Sequence, residues 1–358
     1  MRILKIPGPK KPKRGDRWFA DGLQFAPDGQ KLYVALRVPE DQWIGQCDVA
    51  AGEWNQLNAI DYLHDEKPRK PWSPDFSRVI CFIGDSFDQS TTMIWIDEAK
   101  SLMGLWDPTV MRIVVPGPPI GESVFPNLIG ITFSPDGRWL FCAEEWNSIT
   151  AIVCADVRKL FAKPLLKDPG INRLTGKPLR FVEPTIWARL ATLPERVEAS
   201  VVEVTPDNRL VGAGTTTGDT HLIRVRDGVT LGVLERKKAK RTDDQRVQRL
   251  AFSPSGKQLG VIVDGMLRVW DVKTTKLLWD AEDAKAHATD LAYHPTGNTI
   301  AIARSDGAAV FLDATSGKLQ KRYDWKVGQL NSIAFSPDGL TCAAGGEKGQ
   351  VVVWDVDS

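Results

Sequence analysis

Apolar residues in this chain come in short runs, and the same punctuation keeps breaking them. The phrase is an apolar or aromatic residue, a second residue, Pro, a polar residue and Gly. It reads FAPDG at 25–29, WSPDF at 72–76, FSPDG at 133–137 and VTPDN at 204–208. It continues as FSPSG at 252–256, YHPTG at 293–297 and FSPDG at 335–339, making seven copies. Pro presets φ for the first corner of a tight turn, and Asp followed by Gly or Asn favours the rest of it. Apolar residues flank each copy, as in Leu250-Ala251-Phe252 before the turn and 259–263 (LGVIV) after it. The pattern predicts a hairpin joining two buried strands, repeated along the chain.

The last two intervals between copies are 41 and 42 residues. A four-stranded propeller blade takes about 40–45. The clearest unit spells out all four strands, here termed a to d: 247–253, 258–263, 266–272 and 276–280. Asp264-Gly265 supplies the b–c turn, a dipeptide that favours a two-residue hairpin. Trp270-Asp271 ends strand c, and Trp354-Asp355 recurs at the equivalent place near the C-terminus. The period, the turns and these two dipeptides resemble the WD40-repeat family over nearly the whole chain. The resemblance implies an all-β fold, a seven-bladed β-propeller of four-stranded antiparallel blades forming a single domain over 1–358. Blades are expected at about 18–60, 70–116, 128–192, 198–235, 246–281, 287–323 and 329–356, the last completed by 1–6. After Trp354-Asp355 no strand d follows, and Arg2-Ile3-Leu4-Lys5-Ile6 is strand-like. The N-terminal strand is therefore expected to pair in the last blade and close the ring, which shields sheet edges.

The chain diverges from the family pattern. The Gly-His pair that often precedes strand a survives only as Ala286-His287, with Asp306 in the matching turn and Leu312-Asp313 where Trp-Asp would stand. Insertions are expected in the c–d connections at 98–109 and 157–185. Asp156 is a candidate N-cap for a short helix at the start of the longer one. A further long d–a loop spans 115–127.

Composition changes this picture little. The chain has 358 residues, 42% of them hydrophobic, and a formal net charge of +1, so no field of the whole molecule attracts nucleic acid or membrane. Cys47, Cys81, Cys142, Cys154 and Cys342 are odd in number and scattered in apolar runs, which points to buried reduced thiols. No run approaches the roughly 20 apolar residues needed to span a bilayer. A soluble, monomeric, cytoplasmic protein is expected.

No local catalytic constellation appears. His64, His221, His287 and His294 lack metal-ligand spacing, and there is no zinc, nucleophile-elbow or Walker motif. His294 reads as a turn residue and His221 as a structural one in strand c. Gly212-Ala213-Gly214 reads as a strand end, and Glu144-Glu145 as a solvated b–c turn. No cofactor, metal or catalytic residue is expected. A propeller hydrolase of lactonase-like type, with a metal in the central channel, remains an alternative, because such a site assembles from single residues on several blades.

Charge clusters on one face instead. In a propeller the d–a and b–c loops share one face, and the a–b and c–d loops share the other. The first d–a loop carries Lys10, Lys11, Lys13, Arg14 and Arg17. The d–a loop before the fifth blade carries Arg236, Lys237, Lys238, Lys240, Arg241 and Arg246. Basic runs attract acidic segments and phosphates. Nucleic acid ranks below protein because stacking aromatics are not interleaved with the charge. The reading is a non-catalytic scaffold that binds proteins or peptides, with these residues as the candidate surface.

Overall fold

The computed structural model describes residues 1–6, 18–38, 41–61, 82–84, 92–94, 105–107, 112–114, 127–146, 149–156, 187–235, 245–281 and 286–357. Every regular element among them is a β-strand. The first, β1 (Arg2–Lys5), precedes a sheet of β2 (Phe19–Phe25), β3 (Lys31–Val38), β4 (Asp41–Asp48) and β5 (Trp54–Asp61). Two pairs fall within the second expected blade: β6 (Phe82–Gly84) with β7 (Thr92–Ile94), and β8 (Leu105–Asp107) with β9 (Arg112–Val114). The third blade is β10 (Asn127–Phe133), β11 (Trp139–Trp146), β12 (Ile149–Asp156) and β13 (Trp187–Thr192). The fourth is β14 (Ala199–Val204), β15 (Leu210–Thr215), β16 (Thr220–Arg224) and β17 (Thr230–Leu234). The fifth is β18 (Val247–Phe252), β19 (Gln258–Val263), β20 (Met266–Asp271) and β21 (Leu277–Ala281). The sixth is β22 (Ala288–Tyr293), β23 (Thr299–Arg304), β24 (Ala308–Asp313) and β25 (Leu319–Asp324). The last contains β26 (Leu330–Phe335), β27 (Thr341–Gly346) and β28 (Gln350–Asp355).

The N-terminal strand completes the last sheet, as expected. β1 pairs antiparallel with β28, from Arg2 opposite Val353 to Lys5 opposite Gln350. Leu4 and Ile6 are buried with Val351, Val353, Ala343, Ala20 and Leu23, so one apolar cluster binds the last sheet to the first. A similar cluster of Ala301, Phe311, Leu330, Ile333, Val352 and Trp354 joins the sixth sheet to the last. The core thus lies between blades, which is why strands b and c are apolar on both faces.

The recurring phrase folds as its chemistry dictates. Gly29, Gly137, Gly256, Gly297 and Gly339 all have positive φ, and Asn208 takes the same position with φ 59° in the VTPDN copy. Asn tolerates the left-handed region better than other side chains, so that copy keeps the turn. In it, Thr205 Oγ1 donates to Asp207 Oδ1 at 2.7 Å and accepts from Leu210 N at 3.0 Å. The Asp264-Gly265 turn has positive φ at both residues, as a primed hairpin requires. The WSPDF copy at 72–76 lies outside the described residues.

Two expectations change, and a third is not reached by the described residues. Leu105–Asp107 lies inside the segment expected to be an insertion, 98–109, yet it forms a strand with Arg112–Val114. Glu144-Glu145 sits within β11, opposite Ala151 and Thr150, and not in a turn. The apolar-polar pattern there is too short to show that the strand runs on past the buried Ala143. Asp156 is buried, and its carboxylate lies 3.5 Å from Arg138 Nε, so an ion pair across the blade holds it. The helix expected to follow it, with the rest of 157–185, lies outside the described residues.

Candidate functional site

The first strands of neighbouring sheets approach one another and form the inner wall. Each described first strand has a register shift against the second strand of its sheet, as between Ala199 and Val201 or Leu330 and Ser332. A bulge there turns backbone groups away from their own ladder. The carbonyls beside the bulge accept bonds from the preceding blade. Ser200 Oγ donates to Val247 O at 2.7 Å, Thr289 Oγ1 to Leu330 O at 2.7 Å, and Ser332 Oγ to Ala20 O at 2.6 Å. Asp290 continues the series, with Oδ1 3.5 Å from Arg249 Nε and Oδ2 accepting from Ile333 N at 3.0 Å. Asn331 Nδ2 donates to Asp21 Oδ1 at 3.0 Å. The carboxylates of this wall join blade to blade. No group of three or more potential metal ligands occurs among the described residues.

The d–a/b–c face is tied together by backbone. Ala288 N donates to Gly265 O at 2.8 Å and Lys348 N to Trp18 O at 2.7 Å, each crossing to the next blade. His287 makes no hydrogen bond to Asp306, in keeping with the incomplete family pattern of this blade. Its backbone N–H donates to Ser305 Oγ at 3.0 Å, and its ring packs over Gly265, where any side chain would collide with it. Asp306 instead accepts from Arg304 Nε at 3.2 Å and Arg322 Nη2 at 2.9 Å. Burial raises its pKa, but the hydrogen bonds from Arg322 and Arg304 outweigh this and hold the carboxyl below its usual value. Two arginines compete for the acid that the family pattern assigns to His, and nothing in the short turn motif reveals them.

Of the candidate binding residues, Arg246 is described and is exposed at the entry to β18. Lys10, Lys11, Lys13, Arg14, Arg17, Arg236, Lys237, Lys238, Lys240 and Arg241 lie outside the described residues.

The opposite face carries the a–b and c–d turns. The Asp after strand c closes its turn: Asp271 Oδ1 accepts from Thr274 N and Thr274 Oγ1, both at 2.7 Å. Asp313 Oδ1 accepts from Ser316 N and Ser316 Oγ, again at 2.7 Å. These side-chain hydrogen bonds lower the pKa of both carboxyls. Asp271 and Asp313 are therefore turn-builders. His294 belongs to its turn as expected, with Nδ1 2.7 Å from Thr296 Oγ1, and also reaches the next blade, with Nε2 3.1 Å from Gly339 O. His221 is buried in β16, and desolvation lowers its pKa while Asp219 opposes part of the shift.

The model of the WD domain, G-beta repeat, matches residues 317–355. That of the anaphase-promoting complex subunit 4 WD40 domain matches 276–333. Over residues 276–355 the chain is WD40-repeat sequence, and its described four-stranded sheets have the form of that family's blades. Among WD40 relatives, Periodic tryptophan protein 2 homolog of Neurospora crassa is 26% identical over 193 residues, 47% of this chain and 20% of that protein. Target of rapamycin complex subunit wat1 of Schizosaccharomyces pombe is 27% identical over 115 residues, 32% of this chain and 36% of the relative. Small ribosomal subunit protein RACK1y of Oryza sativa is 33% identical over 63 residues, 18% of this chain and 19% of the relative. The WD40 matches thus span a fifth to about a third of these relatives' lengths.

Proposed function

We propose that the chain is a non-catalytic protein-interaction scaffold, binding partner proteins or peptides through loops at the two ends of its blades. The observation that carries this reading is the series of blade-to-blade hydrogen bonds along the inner wall, from Ser200–Val247 to Ser332–Ala20. They lock the sheets together, so loops can differ in sequence at little cost to the frame. WD40 relatives named as a subunit of the target of rapamycin complex and as a small ribosomal subunit protein support an assembly role. Cys47, Cys154 and Cys342, buried as free thiols, support a reducing compartment such as the cytoplasm.

The basic d–a loops are the first surface to test, for protein or peptide partners carrying acidic segments. A pull-down should compare the intact protein with a Lys10→Glu/Lys11→Glu/Lys237→Glu/Lys238→Glu variant. Partners retained by the first and lost by the second support the d–a surface. An identical set of partners removes it, and no retained partner with either protein counts against the scaffold.

A further inference from the structure

The a–b/c–d face, opposite those loops, is electrostatically divided, and the structure shows how. Its inner turns touch edge to edge. A β-carbon on Gly256 would lie 3.7 Å from Pro206 Cδ, and one on Gly297 3.7 Å from Pro254 Cδ, so the a–b turns of blades four, five and six are continuous. The outer turns are continuous too. Trp279 of β21 donates from Nε1 to Ala314 O at 3.0 Å, in the c–d turn of the sixth blade, and Gly232 of β17 packs on Thr275.

Across these three blades the face presents Arg209, Arg226, Lys257, Lys273, Lys276 and Lys318, all exposed. The side chains of Arg209 and Arg226 are 83% and 75% accessible. The acids among them, Asp207, Asp227, Asp271 and Asp313, accept hydrogen bonds within their own turns, and Asp207 and Asp227 also pair with Arg209 Nε at 3.6 Å and Arg226 Nε at 3.3 Å. Lys257, Lys273, Lys276 and Lys318 make no ion pair among the described residues. On the last and first blades the sign reverses, with Asp338, Asp355, Asp357, Asp28, Asp48 and Glu53 around Lys31. Arg2 lies there as well, donating to Val49 O at 2.9 Å and to Ala50 O. The chain's net charge of +1 conceals this separation.

We infer that the a–b/c–d face of blades four to six is a docking surface for an acidic peptide segment with apolar residues between its acids. Charge complementarity sets the acidic partner, and the acidic sector of blades seven and one repels it, which fixes where it lies. Exposed apolar side chains border the cations: Val229 at 45% accessibility, Leu278 at 45% and Leu319 at 64%. They suit peptide side chains better than a phosphate backbone. The turn carboxylates interrupt the cations, and stacking aromatics are not interleaved with them, as a single-strand binder requires.

The inference rests on the scaffold reading but uses the opposite face from the basic d–a loops, so the two can fail separately. The probe is a labelled peptide of about twelve residues repeating Glu-Glu-Leu, its affinity for the full chain read by fluorescence anisotropy at low salt. An Arg209→Glu/Arg226→Glu/Lys273→Glu/Lys276→Glu variant should weaken binding by about tenfold or more, since several exposed pairs are reversed together. The corresponding Gln variant should give a smaller loss in the same direction, and unchanged melting curves establish that both fold. The Lys10/Lys11/Lys237/Lys238 reversal should leave the affinity unchanged. No binding by the wild type, equal binding by the four-site variant, or loss only with the d–a loop variant overturns the inference. So does tighter binding of a single-stranded oligonucleotide of the same length. A dimer in sedimentation that the four-site variant dissociates would assign the face to a second copy and overturn it as well.

Discussion

Ser332 Oγ donates a hydrogen bond to Ala20 O at 2.6 Å, joining residues 312 positions apart in the chain. Both are fully buried, and the bond lies on the seam between the last blade and the first. Gly345 completes the contact: a β-carbon there would stand 2.5 Å from Ser332 Oγ and 2.6 Å from Ala20 O. Ser332→Ala should lower unfolding stability by about 1–2 kcal/mol, because it strands a buried carbonyl. Gly345→Ala should cost more, about 2–3 kcal/mol, because it forces the two strands apart. Urea denaturation of the three proteins checks the order, and an equal effect of both substitutions would contradict it.

The same seam depends on β1. Deleting residues 1–7 removes the buried Leu4 and Ile6 and leaves β28 as an open edge. The melting temperature should fall sharply and the shortened protein should self-associate, since an apolar unpaired edge is a template for pairing. Leu4→Ala in the full chain should lose about 2–3 kcal/mol without opening the edge. Calorimetry and sedimentation separate the two effects, and an unchanged melting curve for the deletion would remove the closure role.

Cys47 reports on this seam chemically. Burial pushes its pKa up to about 11, Asp48 adds to the rise and Arg2 opposes it. At pH 8 only about one thiol in a thousand is then ionised, so reaction with a thiol reagent should be slow in the native protein. It should quicken in the chain lacking residues 1–7, which loses the Leu4 that packs in the same cluster as Cys47. Labelling followed by peptide mapping reads both rates, and rapid labelling of the intact protein at Cys47 would contradict the burial.

His221 should make stability depend on pH. Its folded pKa is lowered from the ordinary 6.5, chiefly by desolvation, so the unfolded chain takes up the proton more readily. Stability from this group is complete above about pH 6.5, declines as pH falls through that value, and levels off below the folded pKa. A His221→Gln variant should show a flatter profile between pH 8 and 5 in urea denaturation. Parallel profiles for the two proteins would mean that other groups control the response.

Much of the repeat was legible because it is written in local backbone chemistry. Pro, Asp and Gly or Asn at 204–208 fix a turn whatever surrounds it, and Asp264-Gly265 fixes the b–c hairpin. The closing strand was legible because Arg2-Ile3-Leu4-Lys5-Ile6 is strand-like, and it pairs with β28. The seam, by contrast, was decided only in three dimensions, since Ser332 and Ala20 carry no local sign of each other. The partners of Asp306 were hidden for the same reason: Arg322 reaches it from another strand. Charge on the a–b/c–d face was likewise invisible along the chain. Its cations come one or two at a time from separate turns, Lys257 from one, Lys273 and Lys276 from another and Lys318 from a third, and only the stacking of blades gathers them. Turn chemistry acts over about four residues and can be read in order, whereas contacts between blades join residues that the order of the chain keeps apart.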